Sequence, residues 1–323
     1  MNARFVHAGV LLLPVMLIAG CGSGSEVGTA PPLLVFGRSG MGPLEFNYPR
    51  AAAIGPNGQL YIVDKAGRIQ AFTQAGEFVL DWRMPEINAG KPTGLGIAPD
   101  GTVYAADTHY ARIMYFSPTG DFLGQFGSFG EGPGQFRLPT DVAIDAAGFI
   151  YVSEYGGNDR VSKFTPEREY LFSFGGRDAG SASMERPQSL LIAPDGTLWI
   201  ADACNHRICH FDADGKFLGS FSQAGQKLGD VWFPYNIDRL SDGTLVVSEY
   251  GNNRVQRFDA ATGASLGIWG VAGRRPGQLA YPWALAVGGR DRVFVIDSGN
   301  NRVQVIDGAS KNTWSRGGAA TRP

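Results

Sequence analysis

The sequence predicts an all-β fold, a six-bladed β-propeller built from four-stranded antiparallel blades. Two observations lead to this prediction. A proline, an acidic residue and an arginine recur together six times, and each series steps by 43–48 residues. The 46 glycines and 19 prolines are spread along the chain, which suits many short strands joined by tight turns better than long helices. A period near this length with several strands in each copy is typical of a propeller blade.

Each repeat contains four segments with strand character. A strand of small apolar residues follows the proline, as in "DVAID", and a turn that often contains Asp-Gly leads to an aromatic and β-branched strand, as in "IYVSE". A short loop precedes a third strand that starts at the arginine, as in "RVSKF", and a turn leads to a fourth, as in "YLFSFG". Because both faces of a blade pack on neighbouring blades, we expect little polar–apolar alternation.

The ring is expected to close through an N-terminal strand. The sixth repeat has only three strands, and "LLVFG" at residues 33–37, which precedes the first repeat, supplies the missing fourth. This pairing covers a strand edge that would otherwise be open to other chains. We therefore expect the propeller over residues 33–308 and a disordered C-terminal tail over residues 309–323.

The N-terminus has the features of an export signal. Arg4 precedes a mostly apolar segment, residues 5–18, which is short for a membrane span and fits the apolar region of a signal peptide. The following "IAGC" resembles the lipobox of bacterial lipoproteins, a family in which the cysteine is lipidated and the peptide before it is removed. An ordinary secretory signal or an N-terminal membrane helix is the alternative.

The lipobox resemblance implies a location for the protein. Residues 1–20 would be a signal peptide, Cys21 the lipidated residue, and residues 21–32 a flexible tether. Two or three acyl chains hold a protein durably on a bilayer, so we expect membrane attachment through this lipid anchor. The protein would then lie in the cell envelope, at the outer membrane or the periplasmic side if the cell is Gram-negative.

The motif between the second and third strands resembles the NHL repeat. The pattern Asp-x-x-x-Asn-x-Arg-Ile/Val-x-x-Phe is matched best by "ADACNHRICHF", "SEYGNNRVQRF" and "IDSGNNRVQVI", whereas blades 1 and 2 diverge. The resemblance covers roughly residues 33–307 and implies an interaction domain, because NHL propellers serve as sensor domains of bacterial receptor kinases and as RNA-binding domains in animals. A formal net charge of −2, without a basic run, argues against nucleic acid. We expect a monomer with a protein, peptide or glycan partner.

The repeated acid and arginine are predicted to form structural pairs. Six symmetric copies favour a pair that ties neighbouring strands over a ring of general acids with anion clamps, because an active site needs asymmetry. The asparagine of the motif is expected to cap the turn backbone. The twelve predicted pair residues are Asp64, Arg68, Asp107, Arg112, Glu154, Arg160, Asp202, Arg207, Glu249, Arg254, Asp297 and Arg302.

Departures from the repeat mark a predicted binding face. The residue after each repeat proline is expected to ring the channel mouth, and these positions hold Arg50, Thr93, Thr140, Gln188, Tyr235 and Trp283. Aromatic groups with polar tips suit a recognition surface, although ordinary loop packing is the alternative. The predicted binding-face residues are Arg50, Tyr155, Tyr235, Tyr250, Trp283, His109 and His206.

We predict no catalytic residue, cofactor or metal, and therefore a non-catalytic binding or scaffold propeller. Cys204, His206, Cys209 and His210 cluster in sequence, but the last two should point to opposite faces of a strand. A Cys204–Cys209 disulfide is less favoured than two free thiols. The alternative is a metal-dependent propeller enzyme, either a lyase or a lactonase-like hydrolase.

Resemblance to propeller enzymes defines that alternative more closely. The related peptidyl-α-hydroxyglycine α-amidating lyase binds zinc through histidines from several blades, and none of the six positions after the prolines is histidine here. Calcium-dependent lactonases place Glu, Asn and Asp around the channel, a set that Asp141, Glu154, Asn236 and Glu249 could provide.

Overall fold

The computed structural model describes residues 30–88 and 90–316. The described residues form six four-stranded antiparallel sheets, in each of which the strands are hydrogen-bonded in order from the inside of the ring outward. The innermost strands of all six sheets line one channel. The prediction of an all-β, six-bladed propeller with four-stranded blades is confirmed.

The strands occupy the same four positions in every blade. The inner strands are Pro49–Ile54, Gly94–Ile97, Leu138–Ile144, Pro187–Ile192, Pro234–Arg239 and Pro282–Val287. The second strands are Leu60–Asp64, Val103–Asp107, Ile150–Tyr155, Leu198–Asp202, Leu245–Glu249 and Arg292–Asp297. The third strands are Arg68–Phe72, Arg112–Phe116, Arg160–Phe164, Arg207–Phe211, Arg254–Phe258 and Arg302–Asp307. The outer strands of blades 1 to 5 are Phe78–Arg83, Phe122–Phe126, Tyr170–Phe174, Phe217–Phe221 and Ser265–Trp269.

Small elements decorate the connections between these strands. Two-residue strands pair in parallel within the loops that lead into blades 1 and 6, namely Arg38–Ser39 with Glu45–Phe46 and Val271–Ala272 with Gln278–Leu279. Short 3₁₀ turns lie at Thr108–Tyr110, Gly180–Ala182, Gly289–Asp291, Ser298–Asn300 and Lys311–Thr313.

The hydrophobic core lies between blades rather than inside any one of them. The second strand of blade 1, Leu60–Asp64, is buried at every position, because one face packs on blade 6 and the other on blade 2. The outer strand Phe78–Arg83 alternates between half-buried and exposed residues, because its outer face meets solvent. Alternation is therefore lost where blades stack and kept at the rim.

Glycines allow the inner strands to approach one another closely. In blade 2 a Cβ atom at Gly96 would lie 2.2 Å from the carbonyl oxygen of Val142 in blade 3, and one at Gly94 would lie 2.4 Å from the carbonyl oxygen of Thr140. Any larger residue would push these two blades apart at the channel wall.

The last blade is closed by the N-terminal strand, as predicted. Leu34–Phe36 pairs antiparallel with Arg302–Asp307 and becomes the outer strand of blade 6. The N–H of Leu33 also donates to the carbonyl of Val305 at 2.7 Å. The clasp joins the two ends of the repeat array and removes the open edge of the third strand.

The prediction of a disordered tail is wrong for residues 309–316. A 3₁₀ turn at Lys311–Thr313 is followed by Trp314, which is buried and donates from Nε1 to the carbonyl of Gly308 at 2.8 Å. Ser315 and Ile268 exchange two backbone hydrogen bonds of 3.0 Å, which adds a bridge to the outer strand of blade 5. The buried indole of Trp314 anchors this segment. The sequence analysis predicted disorder because the segment is polar and contains glycine.

Several predictions lie outside the described residues. These are the signal peptide over residues 1–20, the lipidated Cys21, most of the tether and the tail after residue 316. Among the residues that the structure does describe, no helix is long and apolar enough to cross a membrane.

Candidate functional site

The six acid–arginine pairs fasten the loops between blades. The carboxylate and guanidinium groups lie 2.7–2.9 Å apart in blades 2 to 6 and 3.4 Å apart in blade 1. In blade 5, Arg254 also donates to the carbonyls of Gln226, Lys227 and Asp230 in the preceding loop. The second oxygen of Glu249 accepts the backbone N–H of Trp232 at 3.2 Å. The pair therefore joins its own blade to the loop that enters it.

The two glutamates of these pairs, in blades 3 and 5, have a hydrogen-bond partner on each oxygen. Both oxygens of Glu249 accept hydrogen bonds, and burial raises its pKa while Arg254 opposes the increase. Burial likewise raises the pKa of Glu154, although Arg137 and Arg160 donate to it. Because no oxygen of either group is left for a ligand, their geometry is that of structural pairs.

The motif asparagine acts differently from the turn cap that the sequence led us to expect. Asn300 donates from Nδ2 to the carboxylate of Asp297 at 2.9 Å and to the carbonyl of Gly273 at 2.9 Å. Asn205 and Asn252 bridge the acid and the preceding loop in the same way in their own blades. The residue links the acid to the loop and does not cap its own turn.

A second repeated contact, which the sequence analysis missed, joins each of four blades to the next. The residue just before the motif arginine accepts a hydrogen bond from the N–H of the residue just before the next repeat proline. The pairs are Asp159 with Arg186 at 2.9 Å, His206 with Phe233 at 3.1 Å, Asn253 with Tyr281 at 2.8 Å and Asn301 with Tyr48 at 2.6 Å. We call Asp159, His206, Asn253 and Asn301 the clamp residues.

The clamp holds an unfavourable backbone conformation. The four N–H donors, Tyr48, Arg186, Phe233 and Tyr281, have φ between 50° and 58°, a region that bulky residues rarely adopt. In blades 1 and 2 the clamp position holds Gly67 and Ala111, which have no side-chain acceptor. In the blades that follow, the residues just before the repeat proline are Lys91 and Leu138, and neither has a positive φ. A side-chain acceptor before the motif arginine and a positive φ at the residue before the next proline therefore occur in the same four blade pairs.

A β-bulge places the next residue at the channel mouth. In blades 1 and 3 to 6 the register of the inner strand shifts at the position after the proline, which leaves that residue unpaired. Bulges commonly redirect a side chain in this way. The residues after the prolines that line the neck of the channel are Arg50, Thr93, Gln188, Tyr235 and Trp283.

Aromatic rings from blades 5, 6 and 1 pack together over this neck. Tyr235 stacks on Tyr250 with centroids 4.5 Å apart, and the edge of Trp283 meets Tyr235 at 4.9 Å. Tyr281 and Tyr48 complete the group, at 5.1 Å from Tyr250 and 5.9 Å from Trp283. We call these five residues the mouth cluster. Tyr281 is half-exposed, so the cluster offers an apolar surface with hydroxyl groups to solvent.

The other predicted face residues lie around the mouth cluster. Tyr155 contacts the guanidinium of Arg186, whose Cζ lies 4.9 Å from the ring. His206 stacks on Trp232 at 5.0 Å and uses Nδ1 in its clamp contact. Burial lowers the pKa of His109, and so do Arg50 and Lys91 nearby.

Three residues of the mouth were not predicted. Tyr48, Arg186 and Tyr281 precede their prolines, and their positive φ directs them toward the neck. The signal that could have found them is the side-chain acceptor before the motif arginine, which is present in blades 3 to 6.

Below the neck, two carboxylates line a wider part of the channel. A cavity of about 340 Å³ is lined mainly by small and branched apolar residues, with Asp141, Asn236 and Asp238 among them. Asp141 accepts the N–H groups of Leu190 and Val142, each at 3.0 Å. Burial raises the pKa of Asp141 to about 7 and that of Asp238 to about 6.

The described residues do not fit a catalytic metal of the kind that the amidating lyase uses. No group of three or more His, Cys, Asp or Glu side chains converges within residues 30–88 and 90–316. His210 stacks flat on Trp199 at 3.8 Å, and Cys209 is fully buried. Of the three carboxylates named for a calcium site, Glu154 and Glu249 are bound to their arginines, and Asp141 accepts two backbone N–H groups. The described side chains therefore provide no ligand set for a metal-dependent reaction step.

Comparison with known proteins agrees with this architecture. A family model described as "Domain of unknown function (DUF7485)" matches residues 161–304. "NHL repeat-containing protein 3" of Homo sapiens is 28% identical over 192 residues, which cover 51% of this chain and 52% of the human protein. The chain is a six-bladed propeller that is similar to NHL repeat proteins. It spans about half the length of the NHL repeat-containing relatives that it matches.

Enzymes are also among the similar proteins. "Peptidyl-glycine alpha-amidating monooxygenase" of Mus musculus is 29% identical to this chain over 136 residues, which cover 39% of this chain and 14% of the mouse protein. A solved structure described as "Streptogramin B lyase structure" superposes with a TM-score of 0.61 at 16% identity, and covers 84% of this chain and 97% of that one. At this identity the structural likeness shows the fold alone.

Proposed function

We propose that this NHL-type propeller is a non-catalytic binding module of the cell envelope. Its channel-mouth face would be presented to a protein, peptide or glycan partner, and not to nucleic acid. The observation that carries the proposal is the mouth cluster, five rings from three blades that are held by clamps and bulges and remain partly open to solvent. Aromatic groups of this kind dominate recognition surfaces because they bury much area with little loss of side-chain entropy.

The proposed lipid anchor would set the orientation of this face. The first described residues lie beside blades 5 and 6, because Trp269 donates from Nε1 to the carbonyl of Ala30 at 2.8 Å. A chain lipidated at Cys21 would reach the membrane through the short segment before Ala30. The propeller would therefore stay near the bilayer as a tethered monomer, with its mouth free to meet a partner in the envelope.

Site-specific crosslinking in intact cells tests the proposal. A photoreactive phenylalanine analogue placed at Tyr281, which is 50% exposed, should give a discrete crosslinked product. The same analogue at Phe122, also 50% exposed but on the outer strand of blade 2, should not give that product. Equal products at both positions, or none at Tyr281, would contradict a binding role for the mouth.

The second candidate function is a metal-dependent propeller enzyme, either a lyase or a lactonase-like hydrolase. It is favoured by the similarity to the amidating monooxygenase over part of the chain. The donor set described above does not support it. Elemental analysis of the purified chain separates the two candidates: zinc or calcium held at one equivalent through chelation would favour the enzyme.

A further inference from the structure

We propose that the mouth cluster binds an oxyanion, a carboxylate or phosphate group on a flat apolar ligand, between the guanidinium groups of Arg50 and Arg186. The inference rests on the proposed function, since it assigns a ligand chemistry to the same face. The evidence for it is that two arginines lie at the mouth and neither forms an ion pair with a carboxylate in the described structure.

Arg50 occupies the bulge of blade 1 and lies against Trp283, with Cζ 4.9 Å from the indole ring. No hydrogen bond or ion pair joins its guanidinium to any other residue in the described ranges, and its Nε is buried without a partner. An arginine has five N–H donors, and leaving them unsatisfied in a half-buried place is costly. Burial lowers the pKa of Arg50, and the positive charge of Arg186 contributes to the decrease.

Arg186 reaches the same place from blade 4. Its positive φ is held by the clamp from Asp159, and its Nε donates to Gln188 at 3.1 Å. Its Cζ lies 4.9 Å from the ring of Tyr155 and 5.3 Å from that of Tyr235. The terminal nitrogens donate to no acceptor within the described part of the chain.

The mouth cluster connects the two cations. Arg186 lies on Tyr235, Tyr235 contacts Trp283 at 4.9 Å, and Trp283 contacts Arg50. The indole Nε1 of Trp283 is also buried without a hydrogen-bond partner. Contacts with aromatic rings compensate part of the charge, but the two like charges influence each other and neither forms an ion pair in the described structure. A bound oxyanion would satisfy both guanidinium groups, and guanidinium binds such groups in bidentate geometry.

The carboxylates nearby are committed elsewhere. Asp141 lines the neck, but its oxygens accept the N–H groups of Val142 and Leu190. Asp159 accepts from the backbone of Gly157 and Arg186. Glu185 is exposed in the neighbouring groove and forms no ion pair with a described arginine. Within the described structure, therefore, no carboxylate forms an ion pair with the guanidinium group of Arg50 or Arg186.

The shape of the mouth places the anion above the neck. The neck cavity measures about 10 Å³, enough for about one water molecule, so an oxyanion cannot enter the channel. An open groove of about 690 Å³ begins beside Arg186 and Tyr155 and runs between blades 3 and 4. The groove gives room for a ligand whose flat end rests on the mouth cluster.

The test is ligand-observed NMR titration of the full chain, purified in a non-ionic detergent and phosphate-free buffer. The probes are phenylacetate, phenyl phosphate, inorganic phosphate and neutral phenylacetamide. We expect phenylacetate or phenyl phosphate to bind at least about tenfold more tightly than phenylacetamide. Arg50→Gln and Arg186→Gln should each weaken that binding by about tenfold or more. Arg83→Gln, at an exposed arginine on the outer strand of blade 1 and outside the groove, is the matched control and should stay within about twofold.

The possible results are all decisive. Preference for the phosphate or the carboxylate probe would identify the source of the oxyanion, and either preference supports the site. Binding of phenylacetamide equal to that of the anions, full binding by both glutamine variants, or no binding of any anion would overturn it. Arg50→Lys, which keeps a charge but not the fork of donors, should retain part of the binding. Thermal unfolding of Arg50→Gln checks that this variant is folded.

The proposal and the proposed function can fail separately. If the anions bind in an arginine-dependent way but no product forms at Tyr281 in cells, the site stands and the partner role falls. If the Tyr281 product forms equally in Arg50→Gln and no anion binds, the face recognises its partner without an oxyanion.

Discussion

Blades 3 to 6 and blades 1 and 2 are copies of one repeat, yet they differ in how they hold their neighbours. Blades 3 to 6 have a side-chain acceptor before the motif arginine, and each clamps a residue of the following blade in a left-handed backbone conformation. Blades 1 and 2 have Gly67 and Ala111 at that position and clamp nothing.

This difference decides on which side of the ring the clamped residues lie. The four clamped residues fall in blades 4, 5, 6 and 1, and three of them, Tyr48, Arg186 and Tyr281, contribute to the mouth. Blades 2 and 3 receive no clamp and contribute no ring to the mouth cluster. The asymmetry of the proposed binding face thus follows from which copies of the repeat form the clamp contact.

The largest expected effect compares two acid–arginine pairs. In Arg254→Ala the carboxylate of Glu249 stays buried without its cation, and three loop carbonyls lose a donor. We expect a loss of about 3–5 kcal/mol in the free energy of unfolding. Arg112→Ala also leaves the carboxylate of Asp107 buried without its cation, but Arg112 donates only to side chains, so this variant should lose about 1–2 kcal/mol less than Arg254→Ala. Urea unfolding followed by circular dichroism measures both. Equal losses would show that the two blades are not fastened differently.

A smaller effect concerns pH and the channel wall. The pKa of Asp141 is about 7 in the folded chain and near its ordinary value when unfolded, so the folded state binds the extra proton between these values. Its contribution to stability therefore grows as pH falls from 8 to 5 and is lost as pH rises through 7. Wild type should gain about 2–3 kcal/mol more over this range than Asp141→Asn. Parallel profiles of urea midpoint against pH would contradict the raised pKa. Asp238, whose pKa is about 6, should leave part of the trend in the variant.

A still smaller loss of stability is expected when a single clamp contact is removed. Asn253→Gly removes the acceptor for the N–H of Tyr281 but keeps a residue suited to positive φ, and should cost about 1 kcal/mol. Asn253→Ala removes the acceptor and adds backbone strain at the same φ, so it should cost about 1–2 kcal/mol more. The matched control is Ala111→Gly in blade 2, which removes strain without touching a clamp and should be neutral or stabilising. Thermal unfolding of the three variants measures these differences.

The repeat allowed the fold to be predicted in some detail. In-phase prolines, acids and arginines located every blade, and the three-stranded sixth copy indicated the N-terminal clasp that Leu34–Phe36 forms. Long-period repetition is informative because each copy must make the same contacts with its neighbours. The segment around Trp314 escaped because it belongs to no repeat and is held by one indole.

The mouth could be predicted only in part. The residues after the prolines line the neck in blades 1, 2, 4, 5 and 6, as the sequence predicted. In blades 1, 4, 5 and 6 a bulge follows the proline, and in blade 2 the inner strand begins only after Thr93. Tyr48, Arg186 and Tyr281 could not be found from strand patterns, since their direction depends on a positive φ that a neighbouring blade imposes. Strand patterns in the sequence predict the hydrogen bonds within a blade. The geometry of the mouth depends on hydrogen bonds between blades, which those patterns do not show.

We propose that the clamped mouth, and not the repeated acid–arginine frame, forms the binding surface. The most direct test of this proposal is the amount of partner captured in cells by Trp283→Ala and Tyr281→Ala, relative to Phe129→Ala on an exposed loop that enters an unclamped blade. Because Tyr281 is half-exposed and its ring makes no hydrogen bond in the described structure, its loss should change the melting temperature little. The account predicts that both mouth variants lose capture by about tenfold while Phe129→Ala keeps it. Unchanged capture by both mouth variants, with all three proteins folded, would contradict it.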